Sequence, residues 1–242
     1  SLSPAELKKE GAYFDVAIAL GYLASTGVLK GETKDKLFLG ELSLNGDVKP
    51  IRGLLSIAQW ARSEGYTEIF IPKDNEVEAT LIDGVTFYLV PTLTDLVLHI
   101  NGGTRLSQSI FVPFEHKERK NTLDFGDVRG QAAAKRALTI AAAGGHNIVL
   151  YGPPGTGKTM LAKAFHGILP TPQNDHFLEV ATIYSSIGLV DDAMNNPVPL
   201  RSPHHSASHI AIIGGGQNQI RPGDITLAHR GILYMDEFPE FD

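Results

Sequence analysis

The chain is predicted to be α/β, in two parts, and three observations carry that expectation. Asn147-Ile-Val-Leu-Tyr is a short, continuous apolar run that leads through a glycine-rich loop into a helical pattern over residues 158–169. Ile232-Leu-Tyr-Met is a second run of the same kind, ending in Asp236 and Glu237. Residues 1–101 alternate short helical and strand patterns, and a polar stretch separates them from everything that follows.

Taken in order, Phe14-Asp-Val-Ala-Ile-Ala-Leu-Gly-Tyr-Leu-Ala is apolar enough for a largely buried helix. Leu37-Phe-Leu-Gly-Glu-Leu reads as one strand, with Asn45-Gly46 as a hairpin-turn signal just after it. Residues 54–63 read as a helix, Glu68-Ile-Phe-Ile as a strand stopped by Pro72, and residues 85–90 as another strand. Residues 92–100 form a short helix that Thr92 or Thr94 can cap. Asn-Gly-Gly from residue 101 opens a connector over residues 102–121, whose charged run His116-Lys-Glu-Arg-Lys-Asn is read as solvated rather than as a nucleic-acid tail. Residues 130–143 form an alanine-rich helix stopped by Gly144-Gly145, and the helix over 158–169 ends at Pro170. No internal repeat or low-complexity tract is present.

Composition narrows the function classes. The 242 residues are 43% hydrophobic, ordinary for a globular protein. No apolar run reaches the roughly 18 residues needed to span a bilayer, so no membrane partner is expected. The absence of cysteine excludes disulfides, thiolate metal sites and cysteine nucleophiles, and fits a cytoplasmic location. Net charge is −6, shared equally by the parts before and after residue 120, so neither carries the basic excess of a nucleic-acid surface. Any DNA role would need a local patch or a ring of subunits.

Gly152-Pro153-Pro154-Gly155-Thr156-Gly157-Lys158-Thr159 satisfies the phosphate-binding pattern G-x-x-x-x-G-K-[ST], with a strand before it and a helix after it, and Met160 is counted with these nucleotide-binding residues. Glycines let the loop wrap a phosphate with its N–H groups, and the helix start adds partial positive charge. Lys158 would neutralise β/γ-phosphate oxygens of ATP, and the Thr159 hydroxyl would ligate Mg²⁺. A neighbouring strand ending in Asp236 places that carboxylate near the same ion, through a bound water, and Glu237 would act as general base on the attacking water.

Phe125-Gly-Asp-Val128-Arg-Gly130-Gln131 resembles the segment that AAA+ proteins place over adenine; Phe125 and Val128 could contact the base or equally well pack a core. Further on stand Arg201-Ser-Pro-His-His-Ser-Ala-Ser, Gly214-Gly215-Gly216, Arg221-Pro-Gly-Asp-Ile-Thr-Leu-Ala-His229 and Gly231-Ile-Leu-Tyr-Met-Asp-Glu-Phe-Pro-Glu-Phe241. These resemble the magnesium-chelatase-like AAA+ proteins of the ComM/YifB type over essentially the whole chain. The resemblance implies a three-layer α/β/α nucleotide domain over 122–242, with an insertion at about 185–225. It also implies ATP and Mg²⁺ as cofactors, a homo-hexameric ring and DNA as the partner. Residues 210–220 would then be a pore-facing hairpin, with Ile210-Ala-Ile-Ile as a strand entering a glycine tip; a purely structural hairpin is an equal alternative. His204 and His205, adjacent on a strand, would point opposite ways and lack common zinc spacing. Contact with substrate or a neighbouring subunit, and plain hydrogen bonding, remain open for them.

Residues 9–72 resemble the Lon proteolytic domain, a ribosomal protein S5 domain 2-like α+β fold, assigned here to residues 1–101. Lys9-Glu-Gly-Ala, Leu39-Gly-Glu-Leu-Ser-Leu-Asn-Gly-Asp-Val-Lys-Pro-Ile-Arg-Gly53 and Ile69-Phe-Ile-Pro72 carry the likeness. Tyr13 stands where the serine nucleophile belongs and Leu55 where the lysine base belongs, so a scaffold without peptidase chemistry is expected. The resemblance also implies further strands before Pro4, and a sensor, an arginine finger and a lid after Asp242. The 242 residues alone are therefore expected to turn ATP over negligibly. A DNA-directed motor is the leading expectation; a metal-chelatase ATPase subunit and a Lon-related unfoldase are the alternatives, and the phosphate loop does not separate them.

Overall fold

A computed structural model describes residues 12–115, 123–216 and 220–241. The chain is mixed α/β and divides into two compact units, one ending at Pro113 and the other starting at Phe114. None of the helices among the described residues is long and apolar enough to cross a membrane. The likeness at Lys9-Glu-Gly-Ala and the charged run from His116 lie outside the described residues.

In the first unit a 3₁₀ turn at Ala12–Phe14 leads into α1 (Asp15–Ser25). Only Val16 and Leu20, four positions apart on one face, are buried. Ile18 and Tyr22 sit some 200° round the helix from Val16 and Leu20 and are exposed. The helix is therefore half-buried, not largely buried, because an apolar run of this length still presents one face to the core. The expected strand over 37–42 is split into β1 (Lys36–Phe38) and β2 (Glu41–Leu42). Gly40 makes the break at φ +149°, where an added Cβ would lie 2.5 Å from Val48 Cγ1. β2 pairs antiparallel with β3 (Val48–Lys49) across the Asn45-Gly46 turn.

Next come α2 (Leu54–Ser63), β4 (Glu68–Pro72), α3 (Glu76–Ala79), β5 (Thr86–Val90), α4 (Leu93–Ile100) and β6 (Gln108–Ser109). Thr92 caps α4 by accepting from the Asp95 N–H at 3.1 Å. Pro72 ends β4 from inside the ladder, in register with Val90, rather than stopping it beforehand. The sheet order is β1-β4-β5-β6, parallel except for β6, which runs antiparallel to β5. Phe38, Phe70, Val90, Val16, Leu20 and Leu96 form its core. β6 lies inside the stretch read as a connector, so that stretch is partly built into the first unit; the pairing Tyr88↔Gln108 has no apolar signature that a sequence pattern would register.

The second unit opens with α5 (Ala132–Gly144), closed by Gly145 at φ +63°. α6 (Lys158–Gly167) packs on it through Leu138, Leu161 and Ala164. α7 (Asn174–Ser186) contributes Phe177, Val180, Ala181 and Tyr184, all buried, and Phe114 stacks on Phe177 at 3.6 Å. α8 (Val190–Asn195), β7 (Leu200–Arg201), α9 (His209–Ile213), β8 (Gly214–Gly215), β9 (Arg221–Pro222), α10 (Asp224–Leu227) and β10 (Ile232–Leu233) complete it.

Three strand expectations are corrected here. Residues 147–151 form no ladder, and Val149 and Tyr151 are 90% and 101% exposed, so the run is not buried on both faces. The reason is pairing: β10 lies parallel to β7, with Ile232↔Leu200 and Leu233↔Arg201, and not beside residues 147–151. Ile210–Ile213 belongs to a helix, α9, which Ser208 caps by accepting from the Ala211 N–H at 3.2 Å. The hairpin is real but shorter than expected, β8 pairing antiparallel with β9. Gly223 meets it so closely that an added Cβ would lie 2.3 Å from the Gly214 nitrogen, which explains the glycines in both halves of this segment.

Candidate functional site

The glycine-rich loop and Asp236 are brought together through Thr159. Residues 152–157 form an exposed loop with Gly155 at φ +77° and Gly157 at φ +82°, conformations that side chains resist. Gly157 begins α6 in the left-handed region, and no side chain caps that end. The first N–H groups of a helix lack intrahelical partners, so these donors remain available to an anion. Thr156 Oγ1 donates to the Pro153 carbonyl at 2.9 Å, and Gln131 Nε2 donates to the Thr156 carbonyl at 3.2 Å, bracing the loop. Lys158 Nζ folds over it, donating to the carbonyls of Gly152 at 2.9 Å and Pro153 at 3.0 Å. A phosphate oxygen would compete with those carbonyls for the ammonium.

Thr159 Oγ1 donates to Asp236 Oδ2 at 3.2 Å across 77 residues of sequence. A hydroxyl and a carboxylate at one point are a fitting oxygen donor pair for Mg²⁺. Below them lies a cavity of about 180 Å³ lined by Thr159, Ala162, Lys163, Leu200, Ser202, Tyr234 and Asp236. Tyr234 was missed by sequence reasoning. Burial pushes its phenol pKa up, against a lowering hydrogen bond from Thr159. Its signal was the two-residue period of an extended chain, which puts Tyr234 on the side of Asp236. Met160, the last loop residue expected at the site, is 43% exposed at the start of α6.

Glu237 sits in the left-handed region at φ +53°, and its N–H donates to Asp236 Oδ1 at 3.1 Å. Its Oε2 lies 3.2 Å from His205 Nδ1. His204 and His205 do not point opposite ways. They occupy a turn, where their rings face each other at 4.1 Å, and His204 Nδ1 engages Ser206 Oγ at 2.8 Å. The alternation expected of a strand fails because β7 has already ended at Arg201.

Phe125 and Val128 pack with Leu138, Leu161 and Ala164; Val128 is buried and Phe125 half-buried. Gly214 and Gly215 form β8, and Gly216 follows it, exposed. Two of the three arginines of this region are matched by carboxylates. Arg201 Nε donates to Asp224 Oδ1 at 2.6 Å, and Arg230 grips Glu179 through Nε at 2.8 Å and a second nitrogen at 2.9 Å. Arg230 and then His229 hold the Glu179 carboxyl at about 2, well below the usual carboxylate range. Glu179, too, had no signal in the sequence, since its partners lie 50 residues away. Arg221 makes no ion pair among the described residues.

In the first unit, Tyr13 is partly buried in the 3₁₀ turn, its carbonyl accepting from the Gly40 N–H at 3.1 Å. Leu55 is fully buried in α2.

A family model described as magnesium chelatase, subunit ChlI, matches residues 124–242, and a second, subunit ChlI of Mg-chelatase, matches residues 1–75. The competence protein ComM of Haemophilus influenzae is 42% identical over 250 residues, covering 100% of this chain and 48% of its own length. YifB of Escherichia coli is 41% identical over 244 residues, covering 100% and 47%. The magnesium-chelatase 67 kDa subunit of Chlorobaculum tepidum is 30% identical over 122 residues, covering 49% and 17%. The chain thus spans about half the length of ComM and YifB. Two chelatase-type family matches, and identity running from end to end with ComM and YifB, show that the chain belongs to the magnesium-chelatase-like family of the ComM/YifB type.

Proposed function

We propose that the second unit is the nucleotide-binding part of an AAA+ ATPase, three-layered α/β/α in the whole protein, which hydrolyses ATP with Mg²⁺ as a ring of six subunits acting on DNA. The observation that carries the nucleotide site is the 3.2 Å contact of Thr159 with Asp236 beside the Lys158 loop. Thr159 and Asp236 would hold Mg²⁺, which when bound with ATP offsets charge on the β- and γ-phosphates. Lys158 exchanges the Gly152 and Pro153 carbonyls for phosphate oxygens, and the loop and α6 N–H groups supply the remaining donors. Glu237 accepts the proton of the attacking water. His205, through its contact with that carboxylate, ties the base to the segment leading into α9 and the β8–β9 hairpin. The hairpin with Gly214, Gly215 and Gly216 is the proposed pore element, and Arg221 on its second strand is the arginine left for phosphate. Phe125, half-buried at the edge of its cluster, is the better placed of the two for adenine. The first unit is a Lon-like scaffold without a peptidase dyad, since Leu55 offers no amine and Tyr13 no serine hydroxyl. A cytoplasmic location goes with this reading.

Likeness to a competence protein along the whole chain supports DNA as the substrate, in branch migration or helicase work during recombination or natural transformation. A metal-chelatase-type ATPase subunit is the second reading. It is favoured by the chelatase description of the match at residues 1–75. The test is stimulation of the whole protein's ATPase by forked or four-way DNA, by an unfolded polypeptide and by a magnesium–porphyrin partner system. DNA is expected to stimulate severalfold; stimulation by either of the others with DNA inert contradicts the DNA reading.

A further inference from the structure

A ladder of rings crosses the sheet of the first unit. Phe38, Phe70 and Tyr88 stand in register on β1, β4 and β5. Their centroids are 4.8 and 4.7 Å apart, with the planes inclined by 22° and 11°. That repeat is the strand spacing itself, so the sheet positions the rings. His99 of α4 closes over them, 5.6 Å from Phe70 and 4.8 Å from Tyr88. On the fourth strand the partner of Tyr88 is Gln108, and the ladder of rings ends there. At that end lies a cavity of about 540 Å³ lined by Tyr88, His99, Arg105, Leu106 and Gln108.

The polar groups around it sort into those already matched and those turned outward. Tyr88 donates its hydroxyl to Glu68 Oε1 at 3.0 Å, and the other Glu68 oxygen pairs with Lys36. This internal charge is neutralised. Arg105 is exposed and makes no ion pair among the described residues. His99 Nδ1 accepts from the Leu106 N–H at 3.0 Å, which leaves Nε2 to carry the proton of the neutral ring. Burial, then Lys36 and Arg105, push the His99 pKa down, so the ring is a neutral donor near pH 7. The walls therefore offer an aromatic ring at the open end of a stack, an N–H donor, a primary amide and a guanidinium. Pockets of about 300–1,000 Å³ hold small organic groups. This donor set suits a planar ring with acceptors on its edge and an attached anion.

We propose that this slot in the Lon-like unit receives an unpaired base of single-stranded DNA, the base continuing the Phe38–Phe70–Tyr88 stack, Gln108 meeting its edge and Arg105 its phosphate. The choice of DNA rests on the functional reading above. Base-on-ring stacking tolerates any sequence, as a translocating motor requires. The same base-and-phosphate chemistry is present in a free nucleotide, and the test separates the two.

The whole protein is titrated with a fluorescein-labelled 20-mer of thymidylate, read by anisotropy, and is photocrosslinked to the same oligomer carrying 4-thiothymidine, with peptide mapping. Crosslinks are expected within residues 86–109, and Arg105→Glu should weaken oligomer binding roughly fivefold or more and flatten its salt dependence, with an unchanged Tm. Arg105→Lys should recover most of the affinity. Crosslinks falling only outside 86–109, or unchanged affinity in Arg105→Glu, overturn the proposal. So does competition by thymidine monophosphate at concentrations equal to those of the oligomer. Crosslinking in the slot without DNA stimulation of ATPase leaves the slot standing and sinks the motor reading; stimulation without such crosslinks does the reverse.

Discussion

Glu237→Gln in the whole protein is expected to lower ATP turnover by roughly 10²–10⁴-fold, the usual contribution of a positioned general base. The side chain is two-thirds exposed, its φ of +53° is set by the turn after β10, and its carboxylate touches His205. Glutamine keeps the size and the backbone geometry but cannot take a proton from water. Nucleotide affinity should stay within a few fold, because Glu237 contributes nothing to the loop proposed to grip phosphate. Steady-state phosphate release beside equilibrium binding of a fluorescent ATP analogue reads both quantities. Loss of affinity in parallel with turnover would instead make Glu237 a binding residue.

Lys158→Ala should weaken nucleotide binding strongly and abolish turnover. The ammonium makes two hydrogen bonds to loop carbonyls in this structure, at Gly152 and Pro153. Removing it takes away the one side-chain cation that the loop itself carries. Hydrogen bonds to charged groups contribute about 1.5–3 kcal/mol each, so losing the equivalent of one such bond to phosphate should lower nucleotide affinity about 10- to 150-fold. The fold should survive, since Lys158 lies on an exposed loop-to-helix turn, away from the Leu138–Leu161–Ala164 cluster. Circular dichroism beside the binding measurement separates a lost site from a lost fold.

What could be read in advance depended on how local its cause was. The glycine-rich turn before α6 was legible because positive φ at Gly155 and Gly157 calls for glycine at fixed spacing. The convergence of Asp236 with Thr159 followed from chemistry once that loop was recognised. The cap at Thr92 and the Asn45-Gly46 turn were equally local. Strand pairing was not. Residues 147–151 have the composition of a buried strand, yet composition does not say which neighbour supplies the hydrogen bonds, and β10 took β7 instead. Ile210–Ile213 suits strand or helix equally, and the Ser208 cap decided it. Glu179 with Arg230, and Tyr234 beneath Thr159, depend on contacts between distant segments, as does the orientation of His204 and His205.

Thr159 and Asp236 are proposed to share one metal ion with the nucleotide. The most direct test of that shared ion is the gain in ATP affinity on adding Mg²⁺, measured calorimetrically for the whole protein and for Asp236→Asn. Wild type should bind ATP more tightly with Mg²⁺, and Asp236→Asn should lose most of that gain while its Mg²⁺-free affinity is kept. An equal gain in both proteins would show that the carboxylate and the phosphate loop do not serve one site.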